Sequence, residues 1–408
     1  MRNTLFFLPI IVIFFSACKE EPPILPGLTK SKLVFITDPD SSIVKLNNKE
    51  LNYITPFILE DLDPGFFRID LKRFAYLDTS IYHVIQRNVT DTIFIEMRED
   101  PIYWWEIYNT SNSQIPTNQI AKIKVDEQNN KWIGTRGSGL LKFDGSTFTI
   151  YNTSNSEIPN DFINDIYIEG NGILWVTTRE GFAKYNGSSW IVYNKQNLNL
   201  PDNNITSLSK DKNGIYWLGS FSGGLIKFDG AAVTIYNYFN SGLPSNYVNT
   251  ITVDENNLKW IGTWGEGIAT FDGVNWKVYN SLFDELINNY ISKILIDNTG
   301  NKWIATGTPL SSESGGLSKF DGSDFTNYYA SITGLPGPIV TDLAMDAKGS
   351  LWISTNNGLA KFDGVNWRIY NSENSGLSTN SIVSVAVDLN QDKWVGISGL
   401  GKYTGGKR

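Results

Sequence analysis

One histidine and one cysteine, His83 and Cys18, are available for chemistry in this 408-residue chain. Both precede residue 100, so the long segment that follows has neither an imidazole nor a thiol. That segment cannot assemble a Ser-His-Asp triad, a Cys-His pair, or a metal site built on His or Cys. A lone cysteine also excludes an intrachain disulfide framework. His83 lies on a strand-like stretch and is read as structural. No cofactor and no metal is expected. Carboxylates remain, and seven of them stand six positions before a tryptophan: Asp126, Glu169, Asp211, Asp254, Asp297, Asp346 and Asp388. Calcium loops would need several further oxygen ligands at fixed spacing, which are missing. A short carboxylate there accepts backbone N–H groups and fixes a turn.

Binding chemistry has better candidates. Arg136, Arg179, Phe221, Trp264 and Asn356 each follow a Thr or Ser at equivalent places. Their types differ, so the fold does not dictate them. An aromatic face on such a rim stacks on a sugar ring or anchors a protein partner. Trp264 has two readings, a ligand contact or a cap on the adjacent repeat. A second column, Lys122, Asp165, Ser207, Thr250, Lys293, Asp342 and Ser384, carries charges that fall as neighbours, Lys122 with Asp165 and Lys293 with Asp342. These form either structural ion pairs or a ring at the mouth of a central channel.

A repeat positions both columns. Its tryptophans are Trp132, Trp175, Trp217, Trp260, Trp303, Trp352 and Trp394, spaced 43, 42, 43, 43, 49 and 42 apart. A period in the low forties with strand-like composition indicates propeller blades. Each repeat reads as four short strands: Ile-x-x-Ile-x-Val-Asp, the Trp strand, Gly-Leu-x-Lys-Phe, and Trp-x-x-Tyr. Phe-Asp-Gly at Phe143, Phe228, Phe271, Phe320 and Phe362 supplies tight turns, because Asp-Gly tolerates positive φ. With the first strand innermost, the second-to-third and fourth-to-first loops share one rim, which carries the variable residues and an insertion at Pro309–Ser314. Variable loops on a rigid scaffold are where binding resides.

The ends of the array predict how it closes. The seventh repeat stops near Tyr403 without a fourth strand, while Trp105–Tyr108 reads as a fourth strand without a repeat. Tyr108 precedes Asp126 by 18 residues, and the same 18 separate Tyr370 from Asp388. Docking the stray strand onto the last repeat protects an exposed edge. The expected fold class is all-β: a seven-bladed β-propeller over residues 102–404 with N-terminal strand closure, preceded by a small β-sandwich over residues 30–99.

The Asp-x-x-Asn-x-x-Trp-Ile-Gly-Thr pattern from Asp254 onward resembles the two-component regulator propeller repeats of bacterial sensors. In that family the propellers are extracytoplasmic and precede a membrane span and a kinase. No such output follows Arg408, so the resemblance implies an extracellular binding role alone. The blade layout also resembles virginiamycin-type lyases, at the level of fold only, because a His base is missing. Residues 30–99 resemble the PEGA domain through Pro39-Asp-Ser-Ser42, Thr55-Pro56, Leu59, Pro64-Gly65 and Tyr76, which implies cell-surface placement without defined chemistry.

The N-terminus reads as an export signal. Arg2 precedes an apolar run, Leu5–Phe15, too short to span a bilayer. Phe15-Ser-Ala-Cys18 resembles the bacterial lipoprotein processing box, implying a signal peptide at 1–17 and lipidation of Cys18. Lys19-Glu-Glu21 resembles the surface-export signal of Bacteroidetes-type lipoproteins, and Pro22, Pro23 and Pro26 stiffen a tether over 18–29. The expected location is the outer membrane, lipid-anchored and surface-exposed, with membrane contact through the anchor only. A net charge of −8 and a pI near 4.9 provide no electrostatic footprint for nucleic acid. The same charge disfavours strongly anionic polymers except at a local basic patch.

These features lead to one expectation and one alternative. The expectation is a non-enzymatic surface lipoprotein binding a carbohydrate or a cell-surface protein on the long-loop rim. The alternative is a polysaccharide lyase or glycoside hydrolase using carboxylates at the channel mouth, which requires two carboxylates to converge there.

Overall fold

The computed structural model describes residues 30–38, 40–97, 100–308 and 315–405. The leader, Cys18, the tether, Pro39 and the Pro309–Ser314 insertion lie outside the described residues. The chain divides into two units, Met1–Arg98 and Glu99–Arg408.

The described part of the first unit holds two sheets. One orders Phe57–Leu62, Ser31–Asp38 and Thr90–Glu96; the other orders Lys49–Ile54, Ile43–Leu46, Gly65–Lys72 and Thr79–Ile85. Period-two alternation along Ser31–Asp38 and the end of Gly65–Lys72 buries Leu33, Phe35, Ile69 and Leu71. His83 lies on Thr79–Ile85, with Nε2 2.7 Å from Asp91 Oδ2.

Among its described residues the second unit holds seven four-stranded antiparallel sheets. The first runs Ile120–Val125, Lys131–Thr135, Leu140–Phe143 and Phe148–Tyr151, and the pattern recurs along the chain. The second strand of a sheet is buried along all or nearly all of its length, as Lys259–Thr263 is throughout, because flanking strands and neighbouring sheets cover it. The innermost strand of each sheet packs beside that of the next, and Ser384–Val387 packs beside Ile120–Val125. The seventh sheet takes its outer strand from Trp105–Tyr108, which pairs Trp105 with Tyr403 and Tyr108 with Leu400. That is the register expected from the Tyr-to-acid spacing.

Apolar clusters lie between sheets rather than within them. Trp394 of the seventh sheet packs with Ile120, Ile123, Ile133, Leu141 and Phe143 of the first. The repeat carboxylate organises this geometry from the inside. Asp254 Oδ1 accepts the backbone N–H of Asn256 at 2.9 Å and Leu258 at 3.0 Å, while Oδ2 accepts the Trp260 indole N–H at 3.0 Å. The same indole bond forms in all seven sheets. One carboxylate thus fixes a turn and holds the sheet's largest side chain.

A contact not read from the sequence ties the sheets together. The lysine before the tryptophan reaches back to the preceding sheet. Lys131 Nζ lies 3.1 Å from Asp388 and 4.9 Å from the Trp394 ring centre. Lys259 bridges to Asp211 and Trp217, and Lys302 to Asp254 and Trp260. Each such lysine contributes an ion pair and a cation–π contact across a sheet boundary.

Candidate functional site

The turn between the second and third strands of each sheet is knit to the loops entering the innermost strands. Arg136 N–H donates to Gln119 O at 2.9 Å, and Gly137 N–H to Asp161 O of the next sheet at 3.1 Å. Trp264 N–H donates to Tyr247 O at 2.9 Å, and Trp264 forms an isolated bridge with Tyr290. These bonds hold the variable positions at one end of the ring of inner strands.

At that end lies a cavity of about 510 Å³. Arg136, Arg179, Phe221 and Trp264 line it, as do Lys122, Asp165 and Lys293 of the inner-strand column. Arg179 stacks its guanidinium 4.0 Å from the Phe162 ring centre. Phe221 meets Tyr247 edge-on at 5.5 Å and Trp264 edge-on at 6.1 Å. Trp264 remains 37% exposed and Phe221 42%, so part of each ring is open to a ligand.

Two expected members are not among the lining residues. Asn356 is engaged by the loop entering its sheet's innermost strand: its Oδ1 accepts Ile339 N–H at 3.2 Å and its N–H donates to Ile339 O at 3.1 Å. Asp342 is buried and accepts the Ser384 hydroxyl at 2.6 Å. The pairing of charges also differs from the neighbour scheme. The ion pair that forms is Lys122 with Asp342, at 3.6 Å. These residues flank the seventh sheet, whose residue in this column is Ser384; a serine is short enough for the long lysine to reach past it. Lys293 has no ion-pair partner among the described residues.

Electrostatics follows from that arrangement. The charge of Lys124, burial and the charge of Lys122 push the Lys293 ammonium down to about 8, against a weaker opposing pull from Asp342 and Asp165. Burial works against ionising Asp342, yet Lys122, Lys293, Lys124 and the Ser384 hydroxyl together hold it below the usual carboxylate range. Asp165 Oδ1 and Ser207 Oγ are buried without a hydrogen-bond partner, and both residues line the cavity.

The sequence reading missed Phe162, Tyr247 and Tyr290. They occupy one column, three residues before Asp165, Thr250 and Lys293, where other repeats carry Gln119, Asn204, Ile339 and Ser381. A variable, partly aromatic column beside the channel column was the signal available.

Residues 199–222 and 334–357 match the model of the two component regulator propeller family. No curated protein matches the chain. Among solved structures, the extracellular domain of a putative hybrid two component system from B. thetaiotaomicron is similar at 23% identity and a TM-score of 0.62, covering 74% of this chain and 41% of that one. A second extracellular domain of this kind from the same organism is similar at 19% identity and a TM-score of 0.57, covering 74% and 39%. The chain therefore spans about two-fifths of the length of these relatives. Virginiamycin B lyase from Staphylococcus aureus is similar at 14% identity and a TM-score of 0.58, covering 73% and 98%. By fold and by its matched repeats, the chain contains a β-propeller with two component regulator propeller repeats.

Proposed function

We propose that this chain is a non-enzymatic, cell-surface lipoprotein whose seven-bladed propeller, closed by Trp105–Tyr108 and preceded by a PEGA-like sandwich, binds a carbohydrate or protein partner at the long-loop rim. The observation that carries this reading is the convergence of Arg136, Arg179, Phe221 and Trp264 on one open cavity. Exposed aromatic faces beside guanidinium groups suit a ligand that offers both apolar faces and polar edges. The likeness to extracellular domains of sensor systems agrees with a binding role.

Catalysis is the second reading. Asp165 places a buried, unpartnered carboxylate oxygen at the cavity, as a lyase or hydrolase would need. Its nearest counterpart in the column, Asp342, is engaged by Lys122 and Ser384, and the turn carboxylates hold indoles. The pair that such chemistry requires is therefore occupied elsewhere.

The test is a glycan array with the soluble protein, followed by titration of any positive. Trp264→Ala is expected to weaken binding roughly tenfold or more while leaving the melting temperature nearly unchanged. Silence across the array, with a protein recovered by pull-down, moves the reading to a protein partner. Turnover of any arrayed glycan overturns the non-enzymatic reading.

Anchoring is tested separately. Among the described residues no helix is long and apolar enough to cross a membrane. Cys18→Ser is expected to abolish labelling by a fatty-acid probe and leave an unprocessed precursor. Labelling that survives the substitution refutes the lipid anchor.

A further inference from the structure

The whole chain carries a net charge of −8, yet the cavity gathers Lys122, Lys293, Arg136 and Arg179 against a single carboxylate, Asp165. Cations concentrated in a concave, partly desolvated site of an acidic protein focus an anion there. Lys122 is neutralised by Asp342 at 3.6 Å, and Arg179 lies over Phe162. Lys293 and Arg136 have no ion-pair partner among the described residues, and of the two Lys293 stands in the inner-strand column beside Asp165 and Ser207.

A second observation points to a ligand at the same place. Ser207 is 3% exposed, and its hydroxyl has no hydrogen-bond partner. Asp165 Oδ1 is buried and equally unpartnered. Buried polar atoms are normally satisfied, so two orphans lining one cavity mark where hydroxyl groups of a ligand fit. The partly exposed rings of Trp264 and Phe221 line the same cavity. The cavity thus offers acceptors for hydroxyls, a cation for an oxyanion and a flat apolar surface, at a volume suited to a few sugar rings.

We propose that the cavity takes a short acidic oligosaccharide, its carboxylate or sulfate held by Lys293 and one sugar ring stacked on Trp264, an assignment that rests on the rim-binding reading above. Lys293 supplies the discrimination for charge. Asp165 and Ser207 accept hydroxyls, and Trp264 supplies affinity for the ring face. A neutral sugar of the same length gains the stacking but leaves Lys293 facing only Lys122, Lys124, Asp165 and Asp342.

Protonation gives this site a signature. Lys124, burial and Lys122 hold the Lys293 ammonium at about 8. The oxyanion binds the charged form, so its affinity falls as pH rises through about 8, where Lys293 loses its proton. A merely structural lysine does not impose that profile on acidic ligands while sparing neutral ones.

The experiment is calorimetric titration of the full chain with matched pairs: trigalacturonate and its methyl ester, and a sulfated trisaccharide and its desulfated form. At pH 7 at least one acidic member is expected to bind roughly tenfold or more tighter than its neutral twin. Whichever pair shows the preference distinguishes carboxylate from sulfate. Lys293→Met removes the preference, and Lys293→Arg keeps it while abolishing its loss above pH 8. Equal binding of both twins, or a preference that survives Lys293→Met in a protein with unchanged melting, overturns the proposal. So does binding of hexaglutamate when no saccharide binds. Neutral sugars that bind while acidic ones do not refute the anion site and leave rim binding standing; silence of every saccharide refutes the carbohydrate reading itself.

Discussion

A chain that begins at residue 112 is expected to melt about 10 °C or more below one that begins at residue 100, and to aggregate on heating. The shorter chain lacks Trp105–Tyr108, the outer strand of the seventh sheet. Its loss bares the Gly399–Tyr403 strand as an open edge, whose free backbone groups template pairing with other chains. It also empties a core. Trp105 packs 5.1 Å from Tyr403, within the cluster that includes Trp352, Tyr370 and Leu377. Tyr108 stacks 6.0 Å from Trp394 and lies 5.5 Å from Phe143 of the first sheet. Truncating a fully buried tryptophan to alanine costs about 3–5 kcal/mol. Trp105 is half-buried, so Trp105→Ala in the full chain should reproduce a smaller part of the loss without removing the strand. Differential scanning calorimetry of the two truncated chains decides the matter. Identical melting would show that the ring holds without its outer closing strand.

The second large effect concerns the same seam from its inner side. Asp388→Ala is expected to cost about 3–5 kcal/mol, and Asp126→Ala about 1–3 kcal/mol. Both carboxylates accept an indole and two backbone N–H groups. Asp388 also faces Lys131, which is 3% exposed, so its removal strands a buried cation. Asp126 faces no such lysine, because Leu174 stands before Trp175 in the following sheet. Urea titrations measure the difference. Adding Lys131→Met to Asp388→Ala should recover part of the loss, since the stranded charge leaves with it. A double substitution no better than Asp388→Ala alone refutes the seam ion pair. The pH dependence has a definite sign. Burial opposes ionisation of Asp388, but Trp394, the Asp392 N–H and Lys131 outweigh it and lower the pKa. Its stabilising contribution is thus complete above the ordinary carboxylate pKa near 4 and disappears as pH falls through the lowered value. Asp388→Ala should flatten that acid limb.

The repeating parts of this molecule were legible because repetition multiplies a weak signal. One Trp-centred strand says little, but seven at near-constant spacing, with an acid six residues earlier, specify sheets, turns and the seventh sheet's missing strand. Trp105–Tyr108 was recognisable because the Tyr-to-acid interval is preserved across a gap in the chain. The Lys-Trp dipeptide recurs in four of the seven repeats, yet its role was not read, since the partner of Lys131 lies 257 residues away at Asp388. The channel resisted sequence reading for a different reason. Its contacts depend on side-chain length across the ring rather than on register, so Lys122 bypasses Asp165 for Asp342 past a serine. Asn356 shares the column of Trp264, but an amide oxygen can accept a backbone N–H where an indole cannot, and it turned to Ile339 of the adjoining loop.

Trp105 and Tyr403 pair at the same end of the closing strand pair. The chain enters Trp105 from residues 100–104 and leaves Tyr403 toward residue 405 at that one end. Tension applied between residues 100 and 405 therefore loads the backbone bonds one rung after another, as in opening a zipper, rather than sharing the load among them as in sliding two strands lengthwise. The seam that protects the ring against heat is for that reason its point of least mechanical resistance. A modest pull would peel Trp105–Tyr108 away while the other six sheets, each built from consecutive strands, remain folded.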